Sequence, residues 1–376
     1  MGESRIYLDH AATTPLRPEA REAMAPFLAE RFGNPSSLHA EGRAAREALE
    51  GARAAVRRAL NAGGFRVVFT GGGTEADNLA ITGVAVQRGG TVVCGATEHH
   101  AVLHTVHALG GRVVAVDQQG VVDLDALGAA LDESVSVVSV MLVNNEVGTI
   151  QPLAGIAEVV RRQAPGAALH TDAVAAFPWL DVATLAAPAD LVSVSAHKFG
   201  GPKGVGALVA RDAVRVAPIL HGGGQERDRR SGTHNVAGVV AMAAAMTATV
   251  AGRATTVARV GALRDRLADG LMAAIPATSE TGRREGKVAG NCHLRFAGVE
   301  SEALLVLLDD AGICAAAGSA CAAGSVEPSH VLAAMGLARD DALGAVRFSL
   351  GATTTEADVE VALREVPRAV AALRAP

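Results

Sequence analysis

The chain has 376 residues, more than one simple core organises, so a large domain with a smaller companion is expected. Hydrophobic residues make up 49%, but alanine supplies much of that, and no apolar run reads as a membrane span. A net charge of −5 with interspersed acids and bases argues against a broad nucleic-acid surface.

The elements are predicted in chain order as follows. Tyr7 to His10 is an extended arm. A helix spans Pro18 to Arg31, a loop follows at Phe32-Gly-Asn-Pro-Ser-Ser, and a long arginine-rich helix spans Leu38 to Leu60. Arg66 to Thr70 is a strand that opens into Gly71-Gly72-Gly73-Thr74, and Glu75 to Gln87 is the next helix. Strands then alternate with helices: Thr91–Cys94, Ala101–Leu109, Arg112–Val116, Leu124–Leu131, Val135–Val143, Ile156–Gln163 and Ala167–Thr171. The strand Leu191 to Ser195 runs directly into Ala-His-Lys and a glycine-rich loop. This alternation predicts a largely parallel sheet covered on both faces. From Ala237 to Leu271 the chain is alanine-rich and helical. Beyond it a strand near Asn291–Phe296, a helix Ser301–Ala311, a loop Ala315–Ser329, a strand Ala345–Leu350 and a last helix from Thr355 read as a smaller α+β unit. The expected boundaries are 15–250 for the large domain, with 1–14 and 251–376 forming the small one.

Several residues stand where a parallel sheet places chemistry, at strand ends. Lys198 is one of only three lysines, with Lys203 and Lys287, in a chain whose other positive charge is arginine. An amine can form an imine and a guanidinium cannot; the alternative is a lysine reaching solvent from a strand end. Gly71 to Thr74 suits an anion held by backbone N–H groups, or is a plain turn. Asp172 follows a buried strand, where a carboxylate needs a cationic partner such as a protonated pyridine nitrogen. A lysine imine, a phosphate cradle and that carboxylate are what pyridoxal phosphate requires. His99, in Thr97-Glu98-His99-His100, is placed to stack on a ring and to move protons, or is a surface histidine. His104 and His107 read as a solvated helix face, and no metal site is expected.

Four cysteines, Cys94, Cys292, Cys314 and Cys321, make no paired spacing. With no secretory signal at the N-terminus, free thiols in the cytoplasm are expected. Cys94 and Cys292 fall on strands, and Cys314 reads as a buried small residue. Cys321 lies in Gly318-Ser-Ala-Cys-Ala-Ala-Gly-Ser, a small-residue loop expected to be mobile, which suits a thiol that must reach out. Arg347, inside a strand, is read as a clamp for a substrate carboxylate or as an outward charge.

The motifs YLDHAATTP (7–15), GNPSSLH (33–39), FTGGGTEADNLAI (69–81), ATEHHAVL (96–103), VNNEVGTIQP (143–152), SAHKFGGPKGVGAL (195–208), GGGQERDRRSGT (222–233), GSAC (318–321), EPSHVL (327–332) and VRFSLG (346–351) run almost end to end. In this the chain resembles the cysteine desulfurases of the NifS/IscS group, class V, fold-type I pyridoxal-phosphate enzymes. The resemblance implies an α/β fold-type I transferase with pyridoxal 5′-phosphate on Lys198 as an imine. Asp172 would face the pyridine nitrogen and His99 would stack on the ring. Gly73, Thr74, Ser195 and His197 would hold the phosphate, and Thr233 the partner subunit's phosphate in a homodimer with shared sites. Asn145 would sit near the 3′-oxygen, and Asn34 and Arg347 near the carboxylate of L-cysteine. Cys321 would take the sulfur as a persulfide, for delivery to an iron–sulfur scaffold or a thiolation enzyme, without membrane or direct nucleic-acid contact. Lys198 or His99 would take the substrate α-proton.

Two departures stand out. The family's Asp-Ala-x-Gln reads Asp172-Ala173-Val174-Ala175 here, losing a hydrogen bond to the 3′-oxygen. Ala352 stands where the family often has arginine. Selenocysteine lyase, another class V reaction, or a weakly active sulfur-transfer scaffold are the competing readings.

Overall fold

The structure is a computed structural model and describes residues 5–318 and 328–375. The chain enters as β1 (Ile6–Tyr7), followed by α1 (Pro18–Met24) and α2 (Ala40–Ala59). The helix expected to reach Arg31 stops at Met24 and tightens into a 3₁₀ turn over Ala25–Phe27. Pro26 explains this: it has no N–H to return to the preceding turn.

One sheet organises the molecule. Its strands are β2 (Phe65–Thr70), β3 (Thr91–Gly95), β4 (Arg112–Val114), β5 (Val135–Ser139), β6 (Ala168–Asp172), β7 (Leu191–Ser195) and β8 (Gly206–Arg211), in the order β2-β8-β7-β6-β5-β3-β4. The pairs from β4 to β7 are parallel, and β8 runs antiparallel between β7 and β2. β8 is absent from the sequence reading, which ran its residues together with the glycine-rich loop. It matters for the site, because Gly206 pairs with Ser195 on one side and Thr70 on the other. That register sets the Gly71–Thr74 turn beside the lysine strand.

Alternate strand residues go to opposite faces. Val67, Phe69, Val138 and Leu169 face α2 and the start of a long helix, Val236–Ala274. Val68, Val92, Val137 and Leu191 face α3 (Gly73–Arg88) and α4 (His100–Ala108). The long helix is, by length and composition, apolar enough to cross a membrane, which the sequence reading had excluded; 56% of that stretch is buried within the fold.

A separate core gathers Ile6 and Leu8 with the far half of the long helix (Val260, Leu263, Leu267) and the C-terminal elements. There β10 (Asn291–Phe296) lies antiparallel between β9 (Thr278–Glu280) and β12 (Ala345–Ser349), while β11 (Ile313–Cys314) pairs parallel with β1. Cys314 is therefore only half-buried, on a two-residue strand, rather than fully enclosed. The last helix, Glu356–Arg374, starts at Thr355 through a capping box with Asp358.

Candidate active site

Lys198 ends a short 3₁₀ turn directly after β7. Its Nζ donates to the carbonyl oxygens of Ala11 and, at 3.0 Å, Ala12. The N-terminal arm thus closes over the lysine. On one side Lys198 lines a cavity of about 320 Å³, with Asn145, Ala175 and Trp179. On the other a second hollow is lined by Gly71 to Thr74, Ser195 and His197.

That second hollow is built as an anion cradle. α3 opens at Gly73 with no side-chain cap, so its first N–H groups have no intrahelical partner. Gly72 has φ 151°, and a Cβ on Gly73 would come within 2.9 Å of Val174 Cγ2. A Cβ on Gly206 would lie 2.6 Å from the Gly72 carbonyl carbon. Ser195 and Thr74 bring hydroxyls. The His197 imidazole meets Thr13 Oγ1 at 3.2 Å, and burial and the nearby lysines hold its pKa down at about 4. One residue was missed in the sequence: Glu75, whose carboxylate accepts from the Gly71 N–H at 2.7 Å and from Arg230 Nε at 2.8 Å. Arg230 neutralises a negative charge that would otherwise oppose an anion here.

Asp172 is the last residue of β6 and is 5% exposed. Its Oδ1 accepts the Val174 N–H at 2.8 Å. Burial lifts its carboxyl to about 6, with that hydrogen bond and the charge of Lys198 pulling the other way. Two more carboxyls, Asp77 and Glu98, are buried nearby and pushed well above the usual range by desolvation. His170 bridges Ser139 Oγ and Ser193 Oγ at 2.8 and 2.9 Å under the sheet end, and burial keeps it neutral, near 3.

His99 caps α4: its Nδ1 accepts the Ala101 N–H at 3.1 Å. A backbone N–H only donates, so Nδ1 is unprotonated and the ring proton sits on Nε2. Burial, Lys198 and three neighbouring histidines lower its pKa to about 4. At neutral pH the ring has no free basic nitrogen.

Neither of the two expected carboxylate-binding residues is among those lining the Lys198 cavity. Arg347 is 1% exposed, with Nη2 on Asp9 Oδ1 and Nη1 on the Asn145 carbonyl oxygen, both at 2.9 Å. It does not line the Lys198 cavity. Asn34 sits in the loop before α2, where its Oδ1 accepts the Ser36 N–H at 2.9 Å, and it too is absent from that wall. Thr233 is exposed and outside the cradle of its own chain. Cys321 lies outside the described residues. Just past that segment, Ser329 Oγ donates to the Glu146 carboxylate at 2.5 Å, next to Asn145, and a Cβ on Gly318 just before it would lie 3.2 Å from the same oxygen.

These residues fit pyridoxal phosphate. The cradle has glycines where a Cβ would collide, the buried Asp172 carboxyl takes one backbone donor on Oδ1, and Lys198 is the only lysine at the cavity wall among the described residues. Fold and site together define a fold-type I pyridoxal-phosphate enzyme. Comparison with known proteins agrees. The family described as "Aminotransferase class-V" matches residues 6–361. An IscS-like cysteine desulfurase of Mycobacterium tuberculosis is 46% identical over 98% of this chain and 97% of its own length. A solved NifS-like protein superposes with a TM-score of 0.90 at 35% identity, covering 97% of this chain and 98% of its own. SspA, solved in complex with cysteine, superposes at TM-score 0.79 and 29% identity over 93% of this chain and 99% of its own. The chain belongs to the class-V aminotransferase family, as one of its cysteine desulfurases.

Proposed function

We propose that this enzyme moves the sulfur of L-cysteine onto Cys321, releasing L-alanine and leaving a persulfide for a protein acceptor. The observation that carries the reading is the position of Lys198, between an anion cradle and a cavity whose wall, among the described residues, carries cations and no carboxylate. When bound, pyridoxal phosphate supplies an electron sink for bonds at the substrate α-carbon, with Gly73, Thr74, Ser195 and His197 toward its phosphate and Asp172 toward its ring nitrogen.

The chain's own residues divide the remaining work. Lys198 takes the α-proton, since the neutral His99 offers only the N–H of Nε2. His99 supplies a flat ring face and a fixed donor. The Cys321 thiolate attacks the substrate sulfur: an S–S bond forms, the Cβ–S bond breaks, and its electron pair stays on carbon, which takes up a proton to become the alanine methyl. Cys321 gains the sulfur oxidation that the substrate carbon loses, so no outside oxidant is needed. Asn145, on the cavity wall, would serve the cofactor's 3′-oxygen, and the Ala175 side chain on the same wall offers no donor.

The same reading extends to assembly. Thr233, exposed in its own chain, supports a homodimer in which it completes the partner's cradle. The acceptor is an iron–sulfur scaffold or a thiolation enzyme, in the cytoplasm, where thiols stay reduced. The large domain is 15–250; 1–14 and 251–376 form the small one. The test is mass spectrometry of the Cys321 peptide after incubation with L-cysteine: one added sulfur atom, matched by one alanine, is expected. An unmodified Cys321 alongside steady alanine release overturns the role given to that thiol.

A further inference from the structure

We propose that Glu226 is a positioning residue for the phosphate cradle: its carboxylate locks a strained strap, residues 222–234, against the foot of the Gly71–Thr74 turn. The inference rests on the reading of that turn as the cofactor's phosphate site and adds a residue that acts on it from behind.

The strap has a strained backbone. Glu226, Arg227 and Asp228 have φ of 50°, 58° and 63°, the only consecutive non-glycine run in the left-handed region among the described residues. There the Cβ crowds the following carbonyl oxygen, so each such residue raises the energy of the folded chain. Strain of this kind persists only where the surroundings over-determine it.

Glu226 supplies that determination. Its side chain is 3% exposed, and four donors converge on its carboxylate. They are Arg53 Nη1 at 2.7 Å, Arg53 Nη2 at 2.9 Å, His234 Nε2 at 3.0 Å and the Phe69 N–H at 3.1 Å. Arg53 comes from α2, lies 4.8 Å over the Phe69 ring and also holds the Val67 carbonyl oxygen at 2.6 Å. Burial would raise the Glu226 carboxyl, but His234, Arg53 and the Phe69 N–H hold it down at about 2, so it stays charged at neutral pH.

These contacts reach the cradle from both sides. Phe69 stands on β2, two residues before Gly71. Glu75, four residues after Gly71, accepts the Gly71 N–H and is tied to the same strap by Arg230. The strap is closed on itself, with the Gly232 N–H on Gln225 Oε1 at 2.8 Å and the Ser231 N–H on the Leu220 carbonyl oxygen at 3.2 Å. Leu220 in turn lines the cradle's hollow. Backbone N–H groups bring only partial charges, so their hold on a phosphate depends on being aimed before it arrives. The Glu226 network fixes that aim.

The test compares ligands with and without the phosphate. Equilibrium dialysis of the cofactor-stripped full chain measures pyridoxal 5′-phosphate, pyridoxal and inorganic phosphate in turn. Glu226→Gln should weaken pyridoxal 5′-phosphate and inorganic phosphate about 10-fold each, the loss of charge-assisted hydrogen bonds, and leave pyridoxal unchanged. Arg53→Gln should do the same, and the double variant should lose no more than either alone, because both break one network. Asp228→Gly, which relaxes one left-handed residue, should recover part of the phosphate affinity in the Glu226→Gln background; no recovery overturns the claim that Glu226 acts by holding that strain. Equal weakening of all three ligands would mean a general structural role and overturns the proposal. If Glu226→Gln does not fold, Arg53→Lys carries the same comparison: it keeps the charge but loses the two-pronged pairing, and a loss of about threefold, again confined to the phosphate ligands, is expected. A wild type that holds pyridoxal 5′-phosphate no better than pyridoxal would sink the cradle reading itself. A wild type that prefers the phosphate, beside a Glu226→Gln protein with the same preference, sinks the positioning role alone.

Discussion

Buried Arg347 and half-buried Asp9 form an ion pair, Nη2 to Oδ1 at 2.9 Å, that ties the N-terminal arm to β12 across 338 residues. Arg347 also holds the Asn145 carbonyl, so the pair braces one wall of the active site from behind. Removing one partner of a buried pair strands the other charge and costs about 3 kcal/mol. Asp9→Ala and Arg347→Ala should each lower stability in urea unfolding by roughly that amount. A residue that only clamped substrate would change KM and leave stability alone, and that result for Arg347 would reverse the reading.

Asp172 carries a stability cost that the cofactor relieves. Its carboxyl sits at about 6 in the fold against an ordinary 3.8, because burial disfavours the charged form. The folded state therefore holds the proton more tightly than the unfolded one. The cost is absent below pH 3.8, grows between there and 6, and is complete above it. In cofactor-free protein, Asp172→Asn should be more stable than wild type at pH 8 by about 3 kcal/mol, and equal to it at about pH 3. The same variant should hold pyridoxal phosphate poorly. Unfolding curves at the two pH values check the sign.

His99 should titrate near 4 in the folded protein. Its depressed pKa means the unfolded chain binds that proton more readily between about 6.5 and 4, so this contribution to stability is lost as pH falls through that window. Histidine NMR signals read the midpoint directly. A midpoint near 6.5 would restore His99 as a possible proton acceptor.

Ala175 faces the Lys198 cavity without a donor. Ala175→Gln should tighten cofactor binding about fivefold, the worth of one net hydrogen bond near 1 kcal/mol. Equilibrium dialysis of the cofactor checks this. No change would mean that Asn145 or water already satisfies that oxygen.

The site was legible where chemistry sits at the ends of local runs. Lys198, Asp172, His99 and the Gly71–Thr74 turn each end or follow a short buried strand, so their placement at one sheet edge follows from chain order. Long-range partners left no such mark. The Arg347–Asp9 pair joins opposite ends of the chain, and Arg347 alone reads equally well as a substrate clamp. Arg253 is one of four arginines in the long helix, and only packing brings it over Phe177. β8 was hidden because its first residue belongs to a glycine-rich loop and its pairing is antiparallel in a sheet read as parallel. Glu75 and Arg230 meet 155 positions apart, and neither is unusual by itself.

The central claim is that sulfur leaves cysteine through Cys321 at a site held by Lys198. Alanine release from L-cysteine with a reductant, wild type beside Cys321→Ala, tests it most directly. The account predicts steady release from the wild type and none from Cys321→Ala, which should still bind cofactor and L-cysteine. Equal turnover in the two proteins would contradict it.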